Sequence, residues 1–134
     1  MRLVLDTYAL MAYLRREPGH ADVRRLLQET LEGRHQTSMS VINLGELFYM
    51  QYRKSTPAQA YRAMQFVRRA GIRVETATNE RVMNAARLKA TVAISYADAF
   101  AASLAQELDA VLVTGDPEYK PLADSLRIHW LHSG

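Results

Sequence analysis

LVLDTYALMAYL, residues Leu3 to Leu14, places two different periodicities on either side of a single acid. Leu3-Val4-Leu5 is a continuous apolar run, the pattern of a strand buried on both faces, and such strands belong to parallel sheets covered by helices. Asp6 ends the run, and TYALMAYL starts a helix at once. A similar sequence recurs at VLVTGDPEY, Val111 to Tyr119, where Asp116 precedes Pro117. Asp is a favoured helix N-cap and Pro suits the first helical position, a cap worth about 1 kcal/mol. Asp116 therefore has a structural use of its own, and the question is whether it has a second.

The rest of the chain fills in the same alternation. Glu17-Pro18-Gly19 breaks the first helix, and a second runs from about His20 to Glu32, with Val23, Leu26, Leu27 and Leu31 on one side and Gly33 as its stop. Ser38-Met39-Ser40 reads as a short strand or turn leading into a helix capped by Ser40 and reaching about Lys54. Thr56-Pro57 opens another helix, to Ala70, before Gly71 and a strand from Ile72 to Glu75. Thr78 caps a helix to about Thr91 and Ser95 caps one to about Leu108. Ala110 to Val113 is a strand, a short helix follows Pro117, and Arg127 to Leu131 forms the last strand. Strands alternating with helices predict an α/β fold, a mainly parallel sheet between two helical layers. With no repeat, low-complexity segment or linker, residues 1–134 are expected to form one domain.

Composition narrows the chemistry. Cysteine is absent, which excludes disulfides, thiolate catalysis and Cys-ligated metals. The four histidines, His20, His35, His129 and His132, have no metal-binding spacing, and the last two are expected at the surface or an edge. A metal would have to use oxygen or imidazole ligands, and the histidine spacing favours oxygen. No apolar run approaches the ~20 residues of a membrane span. The N-terminal stretch, interrupted by Asp6, has neither a basic leader nor a small-residue cleavage site, so a cytoplasmic location is expected. Net charge is +3, with 14 Arg against 3 Lys. If a metal neutralised four acids, 17 basic residues would stand against 10, a balance of +7 that attracts polyanions such as RNA.

Four acids are candidates for a site. In open α/β sheets ligands bind outside the carboxyl ends of the strands, and both Asp6 and Asp116 belong there. Asp98, in Ser95-Tyr96-Ala97-Asp98, opens an apolar helix, where it suits either a capping box with Ser95 or a metal held at a helix N-terminus. Glu46 lies in NLGELFYM with Ile42 and Met50 four residues to either side, so it either snorkels from an apolar stripe or turns toward an interior site. If the four carboxylates converged within ~4 Å, each like-charge contact would cost about 1 to 4 kcal/mol, and a hard cation such as Mg²⁺ or Mn²⁺ would be needed to hold them.

The ordered set Asp6, Glu46, Asp98 and Thr114-Gly-Asp116 resembles the PIN-domain ribonucleases, and the short chain is similar to VapC toxins of toxin–antitoxin modules. The matching stretches are LVLDTYALMAYL, EPG, SVINLGELFYM, SYADAFAASLA and VLVTGDPEY, spread over nearly the whole sequence. The resemblance implies a PIN-like three-layer fold and a metal-dependent endoribonuclease. In it Asp6, Glu46, Asp98 and Asp116 position one or two Mg²⁺ or Mn²⁺ ions that activate a water for attack on the scissile phosphate. Asp6 and Asp98 are the expected direct ligands. Glu46 and Asp116 would bind through water or move a proton, and Thr114 would orient the water or serve only as a structural strand-end residue. The resemblance also implies an RNA substrate, tRNA or another structured RNA, a homodimer, and a VapB-like antitoxin that blocks the site. Leu10, Met11, Tyr13, Leu26 and Leu27 are candidates for an antitoxin groove as well as for the core, and the pairs Arg15-Arg16 and Arg24-Arg25 for RNA guidance. Two positions depart from the family: Tyr8 replaces a small polar residue and Tyr119 a Phe.

Other readings fit less well. A haloacid-dehalogenase-type phosphohydrolase needs a second Asp where Tyr8 stands, and a dinucleotide-binding domain needs glycines after the first strand. A non-catalytic PIN-like module would have lost one of the four acids, and all are present. A PIN nuclease of RNA maturation, without antitoxin, has no contrary residue in this chain.

Overall fold

A computed structural model describes residues 1–131. His132, expected at the surface, lies outside the described residues.

The elements follow in the order β1 (Arg2–Leu5), α1 (Thr7–Leu14), α2 (His20–Leu31), β2 (Gln36–Ser40), α3 (Val41–Lys54), α4 (Pro57–Arg69), β3 (Arg73–Glu75), α5 (Asn79–Thr91), α6 (Tyr96–Glu107), β4 (Val111–Thr114), a 3-10 helix (Pro117–Leu122) and β5 (Ile128–Trp130). The strands form one sheet in the order β3-β2-β1-β4-β5, and every pairing is parallel. β1 is central, which is why Leu3, Val4 and Leu5 are all buried.

Side chains alternate across the sheet and feed two apolar layers. Leu3, Leu5 and Val113 pack with Leu10, Met11, Val23, Leu26 and Leu27 from α1 and α2, and with Leu47, Ala63 and Val67 from α3 and α4. Val4 and Leu112 face the opposite layer, built from Ala85 of α5, Phe100 and Leu104 of α6, and Tyr119 and Leu122. Helices on both faces of a parallel sheet make the α/β/α architecture anticipated from the alternation. Leu10, Met11, Leu26 and Leu27 are core residues here, and Tyr13 stacks on Phe66 of α4 with ring centroids 5.1 Å apart. Leu10, Leu26 and Leu27 are thus interior, Tyr13 is half-buried, and Met11, though buried, also lines the cleft described below.

The turn chemistry also follows the sequence. Ser40, Thr56, Thr78, Ser95 and Asp116 each accept a backbone N–H at the start of the helix they precede. α6 is apolar nearly all round, with Ala99, Ala101, Ala102 and Ala105 allowing close approach of its neighbours. His129, on the edge strand β5, bonds through Nε2 to Oδ2 of Asp22 on α2 at 2.7 Å. Arg15, Arg16, Arg24 and Arg25 are exposed, and Arg25 is paired with Asp22 and Glu29. Among the described residues no helix is long and apolar enough to cross a membrane.

Candidate functional site

The chain builds β1, β2 and β3 outward to one side, then returns to lay β4 and β5 on the other. Its switch point lies between β1 and β4, where Leu5 is in register with Val113. The connections leaving the two strands there diverge and open a crevice at their carboxyl ends. Asp6 follows β1 directly, Thr114 ends β4, and Asp116 comes two residues later. The N-terminus of α6 delivers Asp98 to the same edge, since α6 packs against both β1 and β4.

Asp98, Asp116 and Glu118 each bring a carboxylate oxygen within 4.8 Å of the others. Asp98 is buried, Asp116 half-buried and Glu118 exposed, so the cluster runs from the interior to the cleft mouth. Glu118 was not singled out from the sequence: it reads as a first-turn acid behind a Pro. Only its place on the 3-10 helix, two residues after Asp116, turns it toward Asp98. The signal available was a second acid in DPE.

Asp6 sits behind this cluster and is 1% exposed. Its Oδ1 accepts from the Ala9 N–H at 2.9 Å, capping α1, and its Oδ2 accepts from the Thr114 hydroxyl at 2.6 Å. Burial pushes its carboxyl up to about 7, against the lowering effect of the Thr114 and Ala9 hydrogen bonds; the charge of Asp98 raises it further. Thr114 Oγ1 also accepts from the Asp116 N–H at 3.0 Å. The Thr114 proton is thus committed to Asp6, and the residue is fully buried. It ties Asp6 to the turn carrying Asp116.

Asp98 is held differently from a capping-box acid. Ser95 Oγ accepts from the Asp98 N–H at 3.1 Å, but the Asp98 carboxylate accepts from the Tyr119 hydroxyl, at 2.9 Å from Oδ1. Tyr119 is fully buried, and burial first, then the charges of Asp6 and Asp98, push its hydroxyl far up, so it stays a donor. A Phe here would pack as well but could not make this bond. Asp116 Oδ1 accepts from the Glu118 N–H at 2.9 Å, so Asp116 both caps the 3-10 helix and faces the cleft. Glu118 is raised by partial desolvation and then by the charges of Asp98 and Asp116.

Glu46, half-buried on α3, lines the same cleft, of about 380 Å³, but stands apart from the three-carboxylate group. Glu17 lines it too, and Lys54 is the one cation lining it among the described residues. A larger hollow of about 670 Å³, beside Asp109, Arg127 and Trp130, contains none of the acids singled out from the sequence.

The donor set fits a hard divalent cation. All its atoms are carboxylate oxygens, one donor is buried, and at ~5 Å each like-charge pair costs about 1 to 3 kcal/mol without a counter-charge. Mg²⁺ and Mn²⁺ accept such oxygens and leave positions for water or phosphate.

Fold and crevice together define a small α/β/α protein with an acidic cleft at the carboxyl edge of a parallel sheet. Residues 3–124 match the profile of the PIN domain, and the chain belongs to that family. No curated protein matches it in sequence. Among solved structures it is similar in fold to VapBC2 of Rickettsia felis bound to a DNA fragment from its promoter, with a TM-score of 0.76, 20% identity and coverage of 96% of this chain and 98% of that one. DNA-bound VapBC of Salmonella typhimurium is similar with a TM-score of 0.76, 19% identity and 98% of each chain covered. VapC20 of Mycobacterium tuberculosis, a toxin that cleaves the sarcin–ricin loop, matches with a TM-score of 0.75 at 17% identity, over 92% of this chain and 95% of that one.

Proposed function

We propose that the protein is a metal-dependent endoribonuclease, the toxin of a toxin–antitoxin pair, and that it hydrolyses phosphodiester bonds of tRNA or another structured RNA in the cytoplasm. The observation that carries this reading is the meeting of Asp98, Asp116 and Glu118 at the switch point of a PIN fold.

Asp98, Asp116 and Glu118 would hold Mg²⁺ or Mn²⁺, with Asp6 close behind as a further ligand or as the group that sets the charge of the site. Bound there, the ion would supply the positive charge that polarises phosphoryl oxygens and lowers the pKa of a water. Tyr119 fixes the rotamer of Asp98 by its hydrogen bond, and Thr114 fixes that of Asp6. These two carboxylates are thereby pre-set before phosphate arrives. Glu46, on the cleft wall outside the cluster, would take a proton from the attacking water. The acidic cleft repels phosphate until a cation is present, so RNA binding and metal binding are coupled.

A VapB-like antitoxin is the proposed partner, supported by the VapBC complexes among the similar folds. A homodimer is proposed too: Tyr49, Tyr52 and Tyr61 on α3 and α4 are each about half exposed or more. Light scattering of the purified chain tests the dimer.

The function is tested by incubating a mixed pool of tRNA and structured RNA with purified protein in Mg²⁺, Mn²⁺ or EDTA, beside Asp6→Asn and Asp98→Asn. Discrete cuts that disappear in EDTA and in both variants are expected. Identical behaviour of wild type and variants under every metal condition would overturn the reading.

A further inference from the structure

Tyr8 lies on the first turn of α1, two residues after Asp6, and is 42% exposed in the same cleft as the acids. One edge of its ring is seated on the chain at Gly115, between Thr114 and Asp116. A Cβ built on Gly115 would lie 2.5 Å from Tyr8 Cε1 and 3.0 Å from Cζ, so the ring occupies the space that any larger residue would need. The ring is thus braced against the turn that carries Asp116, while a large part of it remains open. Beside it, Met11 and Met50 add apolar, polarisable surface to the cleft wall. Lys54, exposed at the end of α3, lines the same cleft and has no ion-pair partner among the described residues.

An exposed aromatic ring costs solubility unless something covers it, and an acidic cleft is a poor place for a protein helix rich in acids. A nucleobase fits both facts. It presents an uncharged π-face to a ring that has no charge of its own, and its phosphates can reach Lys54 and the cation site. A base within a duplex already stacks on its neighbours and cannot offer that face, whereas a base in a loop can.

We propose that Tyr8 is a stacking platform for one unpaired base beside the bond that is cut, with Lys54 contacting a flanking phosphate. The substrate segment is therefore single-stranded at that position, a loop or bulge. This rests on the ribonuclease reading and adds a residue that selects the substrate. Tyr8 is a positioning residue: it touches the RNA near the reacting phosphate without taking part in proton transfer.

Short oligoribonucleotides spanning a wild-type cut are made with an abasic ribose scanned through the flanking positions. At one position, base removal is expected to raise the wild-type KM by about 5- to 100-fold with kcat nearly unchanged. Tyr8→Leu should show the raised KM on intact RNA and no further loss on the abasic RNA, while Tyr8→Phe behaves as wild type on both. Tyr8→Leu with an unchanged KM, faster cleavage, or full sensitivity to the abasic position overturns the proposal and leaves the nuclease reading standing. A second readout needs neither cleavage nor a variant: 2-aminopurine scanned through the loop of a short stem-loop RNA and titrated with wild type in EDTA and excess Ca²⁺ should be quenched at one position. No quenching anywhere overturns the proposal. Absence of metal-dependent cleavage by wild type, with quenching retained, would instead overturn the nuclease reading and leave Tyr8 as a base-stacking site with no cut beside it.

Discussion

Replacing Asp6 by Asn is expected to stabilise the metal-free protein at neutral and higher pH while abolishing activity. The Asp6 carboxyl ordinarily titrates near 3.8 and is raised to about 7 in the fold, first by burial. A raised folded pKa means the folded state prefers the proton. The group therefore costs nothing well below its unfolded value, destabilises progressively as pH rises from about 4 to 7, and reaches its full cost above that. At 1.36 kcal/mol per unit, the full cost is about 4 kcal/mol. Asn keeps an oxygen for the Ala9 N–H but turns an amide toward Thr114, whose own proton then lacks its acceptor. That loss is about 1 to 2 kcal/mol, which leaves a net gain of about 2 to 3 kcal/mol at pH 8. Urea unfolding of both proteins in EDTA, from pH 4.5 to 8.5, measures it. The expected gap opens with pH and closes or reverses near pH 4.5. A variant less stable than wild type at pH 8, or a gap independent of pH, would refute the reasoning.

Tyr119→Phe keeps the buried ring but removes the donor to Asp98, so calorimetric Mn²⁺ affinity should fall about three- to tenfold, the equivalent of one net hydrogen bond. Glu118→Gln removes the outermost acid of the cluster; Mn²⁺ binding should weaken by a similar factor, with little change in melting temperature because the side chain is exposed. Gly115→Ala drives a methyl into the Tyr8 ring and should displace it. The expected result is a raised KM on single-stranded RNA and no additional effect when combined with Tyr8→Leu, measured as a double-mutant cycle.

The regular elements were legible because local rules and tertiary context agree along this chain. Leu3-Val4-Leu5 is apolar at every position since β1 lies at the centre of the sheet, and five cap residues stand where the helices start. Asp6, Asp98 and Asp116 could be placed at strand or helix ends from the same patterns. Their ends share one edge of a parallel sheet, so their neighbourhood was half-determined before any packing was considered. The strand order was not legible. That β4 returns beside β1 rather than β3 depends on which faces pack together, and this choice creates the crevice.

Side-chain partners lay further still from the sequence. Thr114 bonds Asp6 across 108 positions and Tyr119 bonds Asp98 across 21. Glu118 enters the cluster because a 3-10 turn aims it there, and Glu46 lines the cleft without joining it. The sequence by itself determined the alternation of elements, their boundaries to within a residue or two, and the acids available, since each depends on neighbours within a few residues. Only the tertiary structure decided which acids meet, which one is buried and raised, and which hydroxyl each carboxylate receives. Those depend on long-range packing and desolvation, quantities that no local stretch of the chain contains.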